Sequence, residues 1–420
     1  MNSFAELGVR PRTLETLLRL HITDPTEVQS AAIPILQAGR DCLIQSPTGS
    51  GKTLAFLIPM VERLRGHQRG VPRALIVTPT RELATQIGTV LSQLDPALRR
   101  ALVFGGVGYG GQISSLAGAD VIIGCPGRLV DLSDRGAAHL GGVEFLVLDE
   151  ADEMLDAGFA KDVEKLVSRT KQRSAVGQRQ TVLASATMPD WVTQMASKHM
   201  VDPAEVAVAP AAESQLEHGL FSVQRAQKVT VLSHLLKRSD STIVFHRTKH
   251  GTKKLARDLI ALGHSTSELQ GNLSQAARDR AIAAFRRRET SVLVATNVAA
   301  RGIDVVDVDL VVNYELPDTA DWLTHRVGRT ARNGASGRAL TFLSEDDGEK
   351  WRKLRRLGAP ALQFVDTAQL LNAGTMTFLA HKPEEGSSSG SQARPSSGSP
   401  ARRTYGGPSR PGRGSRYRSG

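Results

Sequence analysis

The sequence predicts an α/β fold with two tandem doubly wound parallel-sheet domains, followed by a disordered C-terminal tail. Three observations support this prediction. Short apolar runs alternate with apolar residues at helical spacing, as strands and helices do in such sheets. The alternation stops near residue 208 and then begins again. The chain of 420 residues also has room for two to three domains, at about 150 residues each.

The first predicted domain covers residues 1–207. Its helices include the stretches 52–64 and 82–94, in which apolar residues recur at helical spacing. Between the helical stretches stand short, almost wholly apolar runs, which are typical of parallel strands buried on both faces. These predicted strands are DCLIQS, RALIVTPT, RALVFGG, DVIIGCP, VEFLVLDEAD and RQTVLASAT.

The second predicted domain covers residues 217–365 and follows a linker at 208–216. The linker is predicted because residues 202–216 contain alanine, proline and glutamate without a long apolar run. In the second domain the predicted strands are STIVFH, HSTSELQG, SVLVAT, DLVVNYELP and GRALTFL. A last helix is expected at 345–357 with Ser344 as its N-cap. The extension 366–420 ends in a tail rich in serine, glycine, proline and arginine, a composition that predicts disorder.

Composition and charge narrow the class of protein. The start of the chain lacks the apolar core of a secretory signal, and no apolar run reaches the roughly 18 residues of a membrane span. We therefore expect a cytoplasmic protein without a membrane partner. The two cysteines, Cys42 and Cys125, lie far apart, which argues against a disulfide framework or a structural zinc site. A net charge of +11 favours a polyanionic partner, and residues 386–420 contribute seven arginines and no acid to it.

A phosphate-binding loop is predicted at residues 46–53, SPTGSGKT, between a strand and a helix. At such a place the backbone N–H groups and the helix N-terminus can face phosphates. Lys52 would reach the β and γ phosphates of ATP, and Thr53 would offer a hydroxyl to Mg²⁺. Ser46 stands where the strict phosphate-loop pattern has its first glycine, so a glycine-rich turn with an accidental lysine is the alternative. The predicted nucleotide-binding residues of the loop are Thr48, Gly49, Ser50, Gly51, Lys52 and Thr53.

A second candidate site follows the apolar run VEFLVL, where Asp149, Glu150, Ala151 and Asp152 stand at the carboxyl edge of the predicted sheet. Asp149 could hold Mg²⁺ there. Its neighbour Glu150 could orient and deprotonate the attacking water. Taken alone, the tetrapeptide could also be a plain helix start, because acidic residues in a first turn interact favourably with the helix dipole.

The third candidate element lies in the second domain, where Arg326, Arg329 and Arg332 recur every third residue after His325. Two guanidinium groups that reach across a cleft would complete hydrolysis only when the domains close. We assign catalytic roles to Arg329 and Arg332, together with Lys52 and Glu150. Surface arginines without a catalytic role are the alternative.

With these three elements the chain resembles the DEAD-box ATP-dependent RNA helicases of superfamily two, of bacterial type, over roughly residues 4–365. The resemblance implies two RecA-like domains, ATP and Mg²⁺ as cofactors, and RNA as the partner. The other motifs that carry it are, in order, Pro25-Thr26 with Gln29, PTRELATQ at 79–86, Gly105-Gly106, PGR at 126–128, Ser185-Ala186-Thr187, IVFHRTK at 243–249 and ATNVAARGID at 295–304.

The resemblance also implies how the nucleotide is recognised. Gln29 would read adenine, and a planar amide can indeed bond to the N6 and N7 edge of that base. Phe4 would stack on the adenine, although from the residues alone it could equally belong to the core. Asp304 would contact the ribose.

Coupling between hydrolysis and strand separation is implied for a further set of residues. In the family, Ser185 and Thr187 bond to the region of Asp152, and His325 joins this set. A strand-end turn satisfied by two hydroxyls is the alternative interpretation of the serine and threonine.

The RNA contacts implied by the resemblance are spread over both domains. Most of them touch the RNA backbone, and an aromatic content of 4% leaves few residues for stacking on bases. We therefore expect sequence-nonspecific binding to structured or duplex RNA. The implied contact residues are Arg81, Gly106, Gly127, Arg128, Thr248, Gly271, Thr296 and Arg301.

The chain departs from the family pattern at five positions, none of which removes a phosphate, magnesium or arginine-finger group. Cys125 and Asn297 flank RNA-contact positions, so they bear on RNA affinity more than on the ATPase. Cys125 is otherwise expected to be a buried thiol. The departures are Ser46 for alanine, Cys125 for threonine, Gln270 for histidine, Asn297 for aspartate and Ala331 for glycine.

The sequence thus predicts an RNA-dependent ATPase that locally unwinds RNA duplexes or remodels RNA–protein complexes, with ribonucleoprotein or ribosomal particles as candidate partners. Two rivals remain. A DNA translocase would show a DNA-stimulated ATPase. A non-enzymatic RNA clamp or chaperone would anneal strands through its basic tail without ATP.

Overall fold

A computed structural model describes residues 3–47, 49–66, 70–171, 179–209, 216–300, 308–330 and 336–379, apart from the side chains of residues 298, 321 and 325. Within these ranges, the strands form two sheets, one from residues 42–207 and one from residues 216–379. We refer to residues 3–209 as the first lobe and to residues 216–379 as the second lobe. The prediction of two parallel-sheet α/β domains is confirmed. Most of the predicted linker and the tail lie outside the described residues.

The first lobe begins with two helices and then alternates strands and helices. Short apolar sequences form its strands because both of their faces are covered by helices. Its strands are β1 (Cys42–Gln45), β2 (Ala74–Val77), β3 (Arg100–Val103), β4 (Val121–Gly124), β5 (Phe145–Asp149), β6 (Gln180–Ser185) and β7 (Ala204–Ala207). Its helices are α1 (Pro11–Arg19), α2 (Glu27–Gln37), α3 (Lys52–Leu64), α4 (Arg81–Leu94), α5 (Tyr109–Leu116), α6 (Pro126–Asp134), α7 (Ala151–Asp156), α8 (Ala160–Arg169) and α9 (Asp190–His199).

All seven strands of the first sheet are parallel, in the order β3-β4-β2-β5-β6-β1-β7. The six predicted strands are present. β7 was not predicted, because it is an edge strand in which only Val206 is buried. The order makes β5, β6 and β1 neighbours, so the three segments that follow them meet at one edge of the sheet.

The second lobe repeats the alternation. Its strands are β8 (Leu216–Ser222), β9 (Thr242–His246), β10 (Thr266–Leu269), β11 (Val292–Thr296), β12 (Leu310–Asn313), β13 (Gly337–Leu343), β14 (Gln363–Val365) and β15 (Phe378–Leu379). Its helices are α10 (Lys228–Leu236), α11 (Lys249–Ala261), α12 (Gln275–Arg286), α13 (Asn297–Ala300), α14 (Ala320–Val327), α15 (Gly348–Arg356) and α16 (Thr367–Ala373), and 3₁₀ turns lie at Arg225–Gln227 and Glu345–Asp347.

The second sheet has the order β10-β11-β9-β12-β13-β8-β14-β15, parallel except for the β14–β15 pair. The predicted last helix is corrected at its start: Ser344 caps a 3₁₀ turn through a capping box with Asp347, and α15 begins only at Gly348. The lobe also continues past residue 365, because Leu370 and Met376 are buried in its core.

Apolar side chains cover both faces of each sheet and form the cores of the lobes. Among the described residues, none of the helices combines the length and the apolar character needed to cross a bilayer. Because the faces of the sheets are apolar, functional polar side chains are expected at the carboxyl ends of the strands.

Candidate functional site

The loop after β1 is closed by hydrogen bonds from its own side chains. Lys52, at the start of α3, is buried, and its Nζ donates to the carbonyl oxygens of Ser46 and Pro47, the latter at 3.1 Å. The hydroxyls of Ser46 and Ser50 are 2.8 Å apart. The lysine ammonium is thus held against backbone oxygens at a helix N-terminus, a place that favours anions.

Gln29 joins this loop to α2. Its Oε1 accepts from the backbone N–H of Thr26 at 3.0 Å, and its Nε2 donates to the carbonyl oxygen of Gly51 at 3.1 Å. Gly51 has φ +96°, and a Cβ there would lie 2.5 Å from Gln29 Nε2. The amide still has one N–H and one lone pair for another partner. Its contact with adenine stays a prediction.

Phe4 lies in the core of the first lobe, where it is 3% exposed. This is the core alternative that the sequence left open. Stacking on adenine stays a prediction, and it requires a face of the ring to become accessible.

Two neighbouring carboxyl groups stand at the end of β5. Asp149 is buried and accepts from the backbone N–H of Glu150 at 3.1 Å. Burial raises the pKa of Asp149 to about 6, against the attraction of Lys52. Burial also raises the pKa of Glu150 to about 7, with a further contribution from the negative charge of Asp149, while Arg329 and Lys52 oppose the shift.

The segment after β6 binds the third carboxylate of the tetrapeptide. Asp152 Oδ2 accepts from the backbone N–H and the hydroxyl of Thr187, both at 2.8 Å, and from Ala186 N at 3.2 Å. The hydroxyl of Ser185 accepts from Asp152 N at 3.2 Å. The structure therefore brings Asp152, Ser185 and Thr187 together, while their coupling role stays a prediction.

The second lobe reaches this edge of the first lobe. Arg329 is buried and lines a cavity together with Glu153 of the first lobe, and its positive charge opposes the rise in the pKa of Glu150. Nearby, Trp322 Nε1 donates to Asp156 Oδ2 at 2.6 Å. Arg332, Thr48, Asp304 and the side chain of His325 lie outside the described part of the chain.

Sequence analysis missed a second connection between the lobes. Arg278 and Glu82 form an ion pair of 2.7 Å in which both side chains are almost fully buried, and Gln275 Oε1 accepts from Arg81 Nη1 at 3.1 Å. Glu82 belongs to the motif PTRELATQ, but its partner lies 196 residues away. No local spacing could have paired them.

Most predicted RNA-contact residues lie at or just after the carboxyl ends of strands. In the first lobe, Gly106 has φ +78°, and a Cβ there would strike the Arg81 guanidinium. Arg128 donates to the carbonyl oxygen of Val107 at 3.1 Å and lies 4.1 Å from the centre of the Tyr109 ring. Gly127 lies in the first turn of α6.

In the second lobe, Thr296 ends β11, and Thr248 caps α11 by accepting from Gly251 N at 3.1 Å. A Cβ at Gly271 would lie 3.1 Å from the Lys249 side chain. Arg301 is not among the described residues. The RNA contacts of all these residues stay predictions.

Comparison with known proteins decides the family. Two family models match the chain, DEAD/DEAH box helicase over residues 26–195 and helicase conserved C-terminal domain over residues 227–334. The ATP-dependent RNA helicase RhlB of Vibrio parahaemolyticus is 37% identical over 356 residues, which cover 82% of this chain and 81% of that protein. The chain belongs to the DEAD-box RNA helicase family.

Other DEAD-box proteins give the same result. The ATP-dependent RNA helicase DeaD of Mycobacterium tuberculosis is 40% identical over 352 residues, 81% of this chain and 61% of that protein. The chain thus spans less than two thirds of that relative. A structure of S. cerevisiae Dbp5 bound to RNA and ADP BeF3 has a TM-score of 0.78 at 31% identity and covers 88% of this chain and 97% of that one.

The structure shows the surroundings of three residues that depart from the DEAD-box pattern. Cys125 is a buried thiol, as predicted, and burial raises its pKa to about 12. Gln270 accepts from the backbone N–H of Asn272 at 2.7 Å, and Asn297 accepts from Arg326 Nε at 2.6 Å. Ala331 lies outside the described residues.

Proposed function

We propose that this DEAD-box protein is an RNA-dependent ATPase that uses closure of its two lobes to unwind short RNA duplexes or remodel RNA–protein complexes, without reading sequence. The observation that carries the proposal is that Arg329, from the second lobe, lines a cavity with Glu153 of the first lobe and acts electrostatically on Glu150. A general base and a charge-stabilising cation from different lobes make hydrolysis depend on closure.

The residues of the first lobe divide the chemistry between them. Lys52 binds phosphate oxygens once they replace the carbonyl oxygens of its own loop. Glu150, with a pKa near neutrality, accepts the proton of the attacking water. Arg329 and Arg332 stabilise the charge that develops on the transferred phosphoryl group.

The buried carboxyl of Asp149 fits a divalent cation, because burial has already raised its pKa and a cation would favour its ionised form. Asp149 and the hydroxyl of Thr53 would hold Mg²⁺, which supplies charge neutralisation for the phosphates. One carboxylate and one hydroxyl are enough where the substrate phosphates provide further oxygen ligands.

We further propose that a single RNA strand lies over the strand ends that carry the predicted contacts, with Arg81 and Arg128 on phosphates. Ser185, Thr187 and His325 would link this surface to the ATP site through Asp152. The relatives named RNA helicase support RNA as the partner. Ribonucleoprotein particles in the cytoplasm are the proposed setting.

Arg329→Ala tests the proposal. Because it removes charge stabilisation of the transition state, RNA-stimulated kcat should fall about 100-fold or more, while ATP and RNA still bind. Steady-state ATPase assays and equilibrium binding of ATP and RNA measure the two effects.

The matched control is Arg352→Ala, which removes an exposed arginine of the same lobe and should leave kcat unchanged. Thermal unfolding of both variants checks that the fold is intact. Loss of a charge partner in the transition state lowers kcat by much more than about twofold. If a folded Arg329→Ala protein kept a kcat within about twofold of the wild type, the two-lobe site would be contradicted.

A further inference from the structure

Arg326, in α14, is a deeply buried cation whose hydrogen bonds to described residues all end on neutral oxygens. It is 3% exposed. Its Nε donates to the amide oxygen of Asn297 at 2.6 Å, and its Nη1 donates to the amide oxygen of Asn313 at 3.0 Å and the carbonyl oxygen of Glu315 at 2.9 Å. Burial lowers its pKa to about 9. The carboxylates of Asp318 and Glu315 oppose this shift from within the second lobe, but among the described residues neither carboxylate accepts a hydrogen bond from Arg326. A guanidinium so deeply buried is stabilised further by a carboxylate that approaches it directly.

Among the described residues of the second lobe, no carboxylate is in hydrogen-bond contact with Arg326, and the amide at position 297 accounts for this. The DEAD-box pattern has aspartate at this position, where the chain has Asn297. An aspartate there would pair with the Nε of Arg326 inside the second lobe. The substitution keeps the hydrogen bond and removes its negative charge.

The third nitrogen of Arg326, Nη2, is buried and has no hydrogen-bond partner among the described residues. Arg326 also lines a cavity of about 20 Å³, large enough for one water molecule, to which both lobes contribute. The cavity is lined by Glu153 of the first lobe and by Phe245, Asn297, Ala300, Trp322, Arg326 and Arg329 of the second.

We propose that the carboxylate of Glu153 is the counter-charge of Arg326, and that Glu153 is therefore a positioning residue for lobe closure. Glu153 follows Asp152 in α7, is 6% exposed, and is the acidic residue in the cavity wall. The inference rests on the proposed function, because it concerns the closed arrangement in which hydrolysis takes place.

Closure and charge balance are linked by simple electrostatics. When the lobes separate, water can solvate the face of Arg326 that borders the cavity. When they close, that water is largely excluded, and Glu153 adds a negative charge from the first lobe to those of Glu315 and Asp318. Asn297 thus makes closure depend on a residue of the other lobe, and Asn297→Asp should remove that dependence.

A double-mutant cycle tests this directly, with the wild type, Glu153→Gln, Asn297→Asp and the double variant. In each protein we would measure kcat and the RNA concentration that half-saturates the ATPase. Glu153→Gln should raise that concentration about tenfold in the wild-type background and about twofold in the Asn297→Asp background, because a buried charge left unpaired is costly only when nothing else balances it.

Three further measurements keep the test specific. Glu205→Gln removes an exposed acid from the first lobe and should change neither parameter. Glu153→Asp keeps the charge and should restore most of the RNA affinity that Glu153→Gln loses. The dissociation rate of labelled RNA, with a non-hydrolysable ATP analogue bound, should follow the same pattern without hydrolysis.

Equal effects of Glu153→Gln in the two backgrounds would overturn this inference and leave the proposed function standing; the partner of Glu153 would then be Arg329 or another group. Absence of RNA stimulation in the wild type would overturn both. We expect Asn297→Asp to bring the half-saturating RNA concentration of the Glu153→Gln protein back towards the wild-type value, with little change in kcat.

Discussion

At the scale of single residues, Glu150 has a backbone and a carboxyl group that are both unusual. Its φ of +52° is in the left-handed region, which non-glycine residues rarely adopt. Burial and the charge of Asp149 raise its pKa to about 7. Sequence reasoning could name this residue from the motif, but the strain and the raised pKa come from neighbours that the motif does not contain.

Replacing Glu150 tests its assignment as the base. Glu150→Gln keeps the shape of the side chain and removes its capacity to accept a proton, so kcat should fall about 100-fold or more. The affinities for ATP and RNA should remain within about threefold of the wild-type values, because the binding of these ligands does not require a proton acceptor at position 150. Steady-state ATPase assays and equilibrium binding measure these effects, and turnover at the wild-type rate would refute the assignment.

At the scale of elements, strands with a distinct apolar run were predictable, whereas very short or largely polar strands were not. β5 and β6 are buried at every position and have apolar sequences that indicate a strand directly. β8, LEHGLFS, has the polar residues Glu217 and His218 in its first half, and β14 and β15 have only three and two residues. Neither hydrophobic period nor length therefore distinguished these strands. The connections between lobes, such as Glu82 with Arg278, depend on folding and carry no local pattern.

The loop after β1 requires glycine at position 51 for two reasons that can be separated. A Cβ at Gly51 would be strained by its positive φ and would also strike Gln29, whereas Gly39 has φ +77° with open space around it. Gly51→Ala and Gly39→Ala should each cost about 1–3 kcal/mol of stability from backbone strain. Only Gly51→Ala should weaken ATP binding, by about tenfold, through displacement of Gln29. Thermal unfolding and ATP titration distinguish these effects, and equal ATP affinities would contradict the role given to Gln29.

β8 carries a pH-dependent contribution to stability. Burial lowers the pKa of His218 to about 4, and its Nε2 lies 3.0 Å from the hydroxyl of Thr341. As pH falls from about 6.5 to about 4, the unfolded chain binds a proton at this histidine and the folded chain does not, so stability decreases. His218→Gln should lose about 2 kcal/mol less than the wild type over this range. Unfolding midpoints of the second lobe against pH measure the difference, and parallel curves would contradict it.

At the scale of the whole molecule, the proposed ATPase site requires residues from both lobes. The first contributes Lys52, Asp149 and Glu150, and the second contributes Arg329. The motifs predicted which residues belong to each lobe, since each motif is local. How the lobes meet, through Trp322 and Asp156 for example, follows from tertiary structure alone. The seven arginines of residues 386–420, without an acidic residue, favour nonspecific and salt-sensitive contact with RNA phosphates, and a solubilising tail is the alternative.

The measurement that tests the account most directly is ATP hydrolysis by the purified protein alone, with single-stranded RNA, and with single-stranded DNA of equal length, at one fixed moderate salt concentration. We predict strong stimulation by RNA only, because RNA would complete the closed arrangement in which Arg329 acts together with Glu150. Equal stimulation by RNA and DNA would contradict the RNA assignment. No stimulation by either would contradict the coupling between RNA binding and closure of the two lobes.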